Sequence, residues 1–180
     1  MPSFSAYIML TKLLSKDECA KCRICCAFDS YDIWETPTIT DDVREIISSE
    51  ILPEQEYLHK GEATMLKLNR EEKEDLYYCT MLDKSSGCKL GDRKPFDCRI
   101  WPLRIMTFGG KRVITVSPIC PVVMKKPLED VVTVAKELAP LIFEQADIHP
   151  EFVKNYEPGY TIVVIEEKNQ KSNERDRVNE

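Results

Sequence analysis

The chain has 180 residues, which fits one domain or one domain with a tail. About a quarter of it is Leu, Ile, Val or Phe, so a core is available and wholesale disorder is excluded. The net charge is −6, which argues against a general nucleic-acid binder because such proteins are basic. The unusual feature is eight cysteines, and the function must be read from them.

The first half of the chain predicts few regular elements. Residues 5–14 are apolar and suit a strand or a short helix, whereas residues 19–30 are predicted as a loop. A helix is predicted over Thr40 to Ile51, because Thr40 is a good N-cap and acidic residues follow it in the first turn. Strands are predicted at Thr64 to Leu68 and at Leu76 to Leu82.

The middle of the chain predicts a hairpin. Asp83 to Gly87 has the composition of a turn, and Cys88 to Pro102 is predicted as irregular because it holds two prolines. Leu103 to Phe108 and Lys111 to Ser117 resemble strands on either side of Gly109-Gly110. Two such segments around a two-residue glycine loop are a strong signal for a β-hairpin.

The last third predicts one long helix and one strand. The helix runs from Pro127 to about Ile142, with a kink or a new turn at Pro140. Its expected apolar face is Leu128, Val131, Val132, Ala135, Leu138 and Leu141. A helical turn at Pro150 to Asn155, a buried strand at Tyr160 to Ile165 and a disordered polar tail after it complete the prediction.

Together these elements predict a small, loop-rich α+β domain built around thiolate metal sites. Residues 1–18 are a lead-in and residues 19–122 the cysteine-cluster domain. Residues 123–166 supply a C-terminal helix and strand that complete the same domain, and residues 167–180 are the tail.

The beginning of the chain predicts the compartment. No basic segment precedes its first apolar run, which is too short for a signal peptide, and no segment is long enough to span a membrane. A cytoplasmic location without a membrane partner is therefore expected. Thiols are kept reduced there, so clustered cysteines favour metal binding or redox chemistry over structural disulfides.

The cysteines nearest the N-terminus form the motif C-x2-C-x2-C-C: Cys19, Cys22, Cys25 and Cys26. Closely spaced thiolates select zinc or iron–sulfur clusters, and we expect all four to be metal ligands. The spacing excludes the two-cluster ferredoxin motif, because Asp29 stands where its fourth cysteine belongs. Zinc-ribbon and radical-SAM spacings fail as well.

The other four cysteines are dispersed: Cys79, Cys88, Cys98 and Cys120. Each lies at a predicted break in regular structure, where loop ends can converge on a metal. Two sites of four thiolates, or one C-x2-C-x2-C site completed by a distant cysteine, are equally consistent with the spacing. Side chains of neighbours such as Cys25 and Cys26 tend to diverge, so one of them is expected to point away from the metal that holds Cys19 and Cys22. That thiol would serve a second metal, join a bridged site or remain a free redox thiol.

A basic segment accompanies the dispersed cysteines. Residues 84 to 112 carry a net charge of +6, so the rest of the chain carries −12. This charge suits compensation of metal-bound thiolates or an ordinary basic surface, with a patch for phosphate or another anion as a third interpretation. Arg99, next to Cys98, is the best candidate for a hydrogen bond to a ligand or for contact with an anion.

Four segments in this order resemble the CxxCxxCC (YkgJ-type) cysteine-cluster family, described as a zinc- or iron-chelating domain. They are CAKCRICC, YCTMLDKSSGCKL, KPFDCRIWP and ICP, from Cys19 to Cys120. The chain departs from the family pattern at Lys94, Trp101 and Val122, where the family has arginine, another aromatic residue and glycine.

The resemblance implies a metal- or cluster-binding domain. The leading expectation is a cytoplasmic protein that holds an iron–sulfur cluster for redox or protein-modification chemistry, with a protein as partner or substrate. The alternative is a zinc-stapled interaction module without catalytic activity. In both cases the eight cysteines are the expected ligands.

Overall fold

The computed structural model describes residues 10, 12–30, 32, 34–70, 75–83 and 85–167. Most of the apolar segment 5–14 and nearly all of the predicted tail lie outside the described residues, so both remain expectations. The described residues form a mixed α+β fold with short strands, small sheets and a long C-terminal helix. This part of the predicted fold class is confirmed.

The described α-helices differ greatly in length. They are α1 (Lys16–Cys22), α2 (Asp41–Ile46), α3 (Phe96–Ile100) and α4 (Leu128–Ile148). A π-helical segment, Ile47–Ile51, continues α2, so the helix predicted over residues 40–51 is confirmed.

Most strands are only two residues long. In chain order they are β1 (Ala27–Phe28), β2 (Tyr57–Lys60), β3 (Ala63–Leu66), β4 (Asn69–Arg70), β5 (Tyr77–Tyr78), β6 (Leu82–Asp83), β7 (Gly87–Cys88), β8 (Leu103–Phe108), β9 (Lys111–Val116), β10 (Lys154–Asn155) and β11 (Thr161–Ile165). They form a four-stranded sheet β10-β8-β9-β11, a three-stranded sheet β1-β5-β4, and the pairs β2-β3 and β6-β7.

The predicted hairpin is confirmed and forms the centre of the four-stranded sheet. Strands β8 and β9 pair in register from Leu103 opposite Val116 to Phe108 opposite Lys111. Gly109 and Gly110 both have positive φ angles, 57° and 74°, which glycine adopts without steric cost. Strand β11 lies at the edge, antiparallel to β9, and β10 pairs in parallel with β8.

Helix α4 packs against this sheet to form what we call the first core. Its members include Ile105, Ile114, Leu138, Ile142, Phe152 and Cys120. The helix ends at Ile148, six residues beyond the predicted end, and Pro140 lies inside it. Val131, Ala135 and Leu138 of the predicted face are buried, but Leu128 is 57% exposed, because the first turn begins before the helix reaches the core.

A second core forms around α2. Its buried members are Phe28, Ile39, Val43, Ile47, Leu66, Leu68, Met81 and Leu90. Cys79 and Cys88 pack against it, whereas Cys19 packs against the first core and Cys120 belongs to it. The two cores therefore place cysteines from distant parts of the chain along their edges.

The loop predicted over residues 19–30 is wrong. Helix α1 covers Cys19 and Cys22, a 3₁₀ turn covers Ile24–Cys26, and β1 follows. Ser15 is the N-cap of α1: its Oγ accepts a hydrogen bond from Glu18 N at 3.1 Å, and Glu18 accepts one from Ser15 N at 3.0 Å. This reciprocal pair is a capping box, which the sequence Ser-x-x-Glu indicates.

Three other segments differ from their predictions. The irregular segment 88–102 contains α3. The strand predicted over residues 76–82 is reduced to β5 and the start of β6. The helical turn at residues 150–155 is a 3₁₀ turn that ends at Phe152, followed by β10. The strand predicted at residues 160–165 is present as β11, but its predicted burial is wrong: Val163 is buried, whereas Thr161 and Ile165 are exposed because β11 lies at the edge of the sheet.

No helix in the described part of the chain is long and apolar enough to cross a membrane.

We predict that Ser15→Ala lowers the free energy of unfolding by about 1 kcal/mol, because it removes the side-chain acceptor of the capping box. Thr40→Ala is the matched control, since Thr40 caps α2 without a side-chain hydrogen bond. Urea unfolding of both variants measures the difference. Equal losses from the two substitutions would contradict the role assigned to the α1 cap.

Candidate metal centre

The motif cysteines are brought together by a reversal of the chain at Arg23. This residue has a φ angle of 57°, in the left-handed region that non-glycine residues seldom adopt. Its N–H donates to Cys19 O at 3.1 Å, and Cys26 N donates to Arg23 O at 2.9 Å. The reversal ends α1 and starts the 3₁₀ turn, and it brings the four motif cysteines close together.

The adjacent thiols of Cys25 and Cys26 do not diverge. Both side chains line the same cavity, and the two are hydrogen bonded to each other. The expectation that one points away assumed an extended backbone, whereas these residues lie in a 3₁₀ turn.

The dispersed cysteines reach the same region from four different elements. Cys79 N donates a hydrogen bond to Cys26 O at 3.0 Å, which fixes the segment after β5 against the motif. Cys88 lies on β7, Cys98 on α3, and Cys120 where the chain leaves β9. The prediction that each of them lies at a break in regular structure is wrong for Cys98, which lies inside α3, and Cys88 is the last residue of β7.

Each cysteine lies close to at least one other. Cys19 interacts electrostatically with Cys22, Cys25 and Cys120. Cys98 interacts in the same way with Cys25, Cys79 and Cys88. Cys26 joins the group through its hydrogen bond to Cys25. All eight are free thiols.

A cavity of about 300 Å³ lies at the centre of this group. Five cysteines line it: Cys19, Cys25, Cys26, Cys88 and Cys98. Trp101 closes part of the wall, and Arg23, Lys94 and Arg99 supply positive charge. Cys22 is exposed, and Cys120 is buried in the first core.

Burial raises the pKa of most of these thiols. It raises the pKa of Cys19 to about 11 and that of Cys79 to about 12, with smaller contributions from neighbouring cysteines. Burial raises the pKa of Cys98 and Cys120 as well, and the hydrogen bond to Cys26 raises that of Cys25. These groups are therefore neutral thiols at pH 7, and a metal ion must displace their protons to bind.

Few charges of the basic segment act on the thiols. Lys94 lowers the pKa of Cys19 and Cys25 against the effect of burial, and Arg99 lies beside Cys98. Arg93 instead pairs with Glu50 at 2.6 Å, and Arg112 pairs with Asp147 at 2.7 Å. Arg93 and Arg112 therefore form tertiary ion pairs away from the thiols, whereas Lys94 and Arg99 lie beside them.

A second, smaller cavity of about 80 Å³ shares a wall with the first. Cys25, Cys98 and Trp101 line both. On the far side it is bounded by Trp34, Tyr160 and Arg104, whose guanidinium lies 5.0 Å from the Trp34 ring and 5.3 Å from the Trp101 ring. Sequence reasoning missed Trp34 and Tyr160, because nothing in their local patterns links them to the cysteines.

The thiols are near one another without converging on single points. Within the described residues, no group of three or more His, Cys, Asp or Glu side chains is arranged to hold a metal ion. The chemistry of the donor set fits a soft metal, since free thiols surround a cavity that cations also line. Binding would require the thiols to turn toward a common centre as they lose their protons.

Comparison of the chain with protein-family models, with curated proteins and with solved structures finds no match in any of the three.

We predict that the metal-free protein loses stability as the pH rises above about 9. The Cys19 and Cys79 thiols ionise near their ordinary pKa of 9.0 in the unfolded chain, but only at about 11 and 12 in the folded protein. Above pH 9 the unfolded chain therefore binds fewer protons than the folded one, which favours unfolding. Urea titrations under reducing conditions measure this slope.

The variant Cys79→Ala serves as the comparison for this test. It should show a shallower decline, because one of the buried thiols is gone. Stability of the metal-free protein that stays constant or rises across the same range would contradict the prediction.

Proposed function

We propose that this chain is a cysteine-cluster protein whose eight thiols hold a metal centre, with an iron–sulfur cluster used in redox or protein-modification chemistry as the leading assignment. The observation that carries the proposal is that five free thiols from separate elements line one cavity, with the other three cysteines close to them in the fold. The order of the motifs, which resembles the CxxCxxCC (YkgJ-type) family, supports it from the sequence.

The size of the cavity favours a cluster over a single ion. Its volume of about 300 Å³ is far larger than the ~30 Å³ share of one water molecule, so it has room for a group of several atoms. The nearby cations Lys94 and Arg99 would offset the negative charge of a thiolate-bound cluster. When bound, such a cluster supplies one-electron chemistry.

The residues of the chain would define the surroundings of the cluster. Trp101 lines both the larger cavity, which would hold the cluster, and the smaller one. Arg99 is the expected hydrogen-bond donor to a ligand sulfur, because it lies beside Cys98 on α3. The environment of such donors tunes the reduction potential of iron–sulfur clusters.

Zinc is the second candidate, and the two cores favour it. Cys79 and Cys88 pack against the second core, whereas Cys19 and Cys120 lie in or against the first. Zinc bound by four thiolates would therefore staple the two cores together. In that case the protein is an interaction module, and its partner is another protein.

A reducing, cytoplasmic compartment is part of the proposal. Eight thiols this close to one another would be prone to oxidation in secreted proteins, whereas the cytosol keeps them reduced.

Anaerobic purification with metal and sulfide analysis tests the function. We expect a brown protein with iron and acid-labile sulfide, and strong loss of both in Cys25→Ser, because Cys25 lines the cavity beside several other cysteines. Ser49→Ala, at an exposed position of the π-helical segment that continues α2, is the control that should keep its metal. Colourless protein with zinc would support the second candidate instead, and protein free of both metals would overturn the proposal.

We also predict that Lys94→Gln shifts metal uptake to higher pH. Lys94 lowers the pKa of Cys19 and Cys25, so its removal makes their thiols harder to deprotonate. Metal uptake followed by absorbance across a pH series gives the midpoint. Lys111→Gln, at the exposed end of the hairpin, should leave the midpoint unchanged; a midpoint that moves equally in both variants, or not at all, would contradict the assignment.

A further inference from the structure

We propose that the smaller cavity, which is bounded by Trp34, Tyr160 and Arg104, binds a cationic side chain, lysine or arginine, that is carried by a partner protein. The binding itself requires no metal. That the bound side chain is the substrate of the metal centre rests on the proposed function.

The lining of this cavity is more acidic than basic. Among the described residues that line it, Asp29, Glu35 and Asp97 are acidic and Arg104 is basic. None of the three carboxylates forms an ion pair within the described part of the chain. The cavity therefore has an excess of negative charge, which attracts a cation.

The guanidinium of Arg104 does not neutralise these carboxylates. Its described hydrogen bonds go to backbone carbonyl oxygens: Nη1 donates to Trp34 O, and Nη2 donates to Glu35 O at 3.3 Å. Its planar group also lies over the rings of Trp34 and Trp101. Arg104 therefore stabilises the walls of the cavity and leaves the carboxylates for a ligand.

Two of the carboxylates are held in place by backbone hydrogen bonds. Glu35 Oε2 accepts one from Ser30 N at 3.1 Å, and Asp97 Oδ2 accepts one from Thr38 N at 3.1 Å. In the described residues, the second oxygen of each carboxylate accepts no hydrogen bond. Each is therefore an acceptor for the N–H groups of an ammonium or guanidinium ligand.

Aromatic rings form the remaining walls. Trp34 Nε1 donates to Asn155 O at 3.0 Å, and the Trp34 ring meets Tyr160 edge to face with 5.3 Å between the centroids. The faces of such rings attract cations. A volume of about 80 Å³, against the ~30 Å³ share of one water molecule, suits the end of a side chain and excludes a whole cofactor.

The rim of the cavity favours a side chain that belongs to a protein. Ile24 and Ile119 line the cavity, yet they are 38% and 50% exposed. Exposed apolar side chains at a binding site can pack on the aliphatic stem of lysine or arginine and on the residues beside it. A free amine lacks these neighbouring residues, so we assign the site to a partner protein.

The position of the site connects it with the thiols. Cys25, Cys98 and Trp101 line both cavities. A side chain bound in the smaller cavity therefore ends beside the wall that the larger cavity shares. Under the proposed function, this places the cationic group of the partner next to the metal centre as the target of protein modification.

The test uses the full-length protein, purified without oxygen, and four pentapeptides that differ only at the central residue. Their sequence is Gly-Leu-X-Leu-Gly, in which X is lysine, arginine, norleucine or glutamate, and both ends are blocked. Calorimetry measures each dissociation constant. Trp34 and Trp101 are the two tryptophans of the chain and both line the cavity, so tryptophan fluorescence shows whether a peptide binds there.

We expect a cationic peptide to bind about tenfold more tightly than the norleucine and glutamate peptides, and salt to weaken its binding. Butylamine, which carries the same cation without a peptide, should bind more weakly than the lysine peptide. Equal affinity for the cationic and norleucine peptides, or tighter binding of the glutamate peptide, would overturn the site. Butylamine that binds as tightly as the lysine peptide would overturn the assignment to a partner protein.

Variants locate the site. Glu35→Gln keeps an acceptor for Ser30 N but removes the charge, so it should weaken the cationic peptides about tenfold. Glu54→Gln, an exposed position that lines neither cavity, makes the same change of charge and should leave the affinity as it is. Equal affinities in Glu35→Gln and the wild type, or equal losses in the two variants, would contradict the inference. Circular dichroism establishes folding, and Asp29→Asn, at an exposed position of the lining, replaces Glu35→Gln if that variant does not fold.

The two proposals fail separately. A protein that holds iron or zinc but binds no cationic peptide contradicts only this inference. A protein that binds the cationic peptides but neither metal contradicts the proposed function and supports the cation site.

Discussion

Burial of many thiols beside one another is the constraint on which this structure depends. The hydrogen bond to Cys26, with burial, raises the pKa of Cys25, and burial raises the pKa of Cys79 and Cys98, with further contributions from neighbouring cysteines. These thiols are therefore neutral at pH 7, and the cavity is lined from both cores, by Leu10 and Leu14 of the first and by Cys88, which packs on the second. The neighbouring thiols that oppose ionisation are also the sulfur ligands that a metal ion would bind.

The sequence predicted elements whose signals are local. Gly109-Gly110 between two apolar segments defined the hairpin, and Thr40 with its acidic neighbours marked the start of α2. Helix α1 was not predicted, because closely spaced cysteines are typical of metal-binding loops, although Ser15 and Glu18 have the spacing of a capping box. The exposure of Leu128 could not be predicted, since it depends on where the helix meets the sheet and not on its periodicity.

The sequence predicted that the cysteines lie near one another, but not how they are arranged. The spacing grouped the four motif cysteines, whereas the breaks in structure expected at all four dispersed cysteines include Cys98, which lies within α3. Which thiol lies near which depends on tertiary contacts, such as the hydrogen bond from Cys79 N to Cys26 O. The net charge of the basic segment suggested broad compensation, yet Arg93 and Arg112 form ion pairs elsewhere, which no local pattern indicates.

The two-residue strands have a consequence for how the protein opens. Strands β1, β5, β6 and β7 each contribute a short ladder, while β8, β9 and α4 form long, continuous hydrogen-bonded elements. Short ladders have low free energies of local unfolding, so amide hydrogens around the second core should exchange with solvent while those of the hairpin stay protected. Cys79 and Cys88 would thus become accessible by partial opening, and a metal ion could enter or leave while the rest of the fold remains intact.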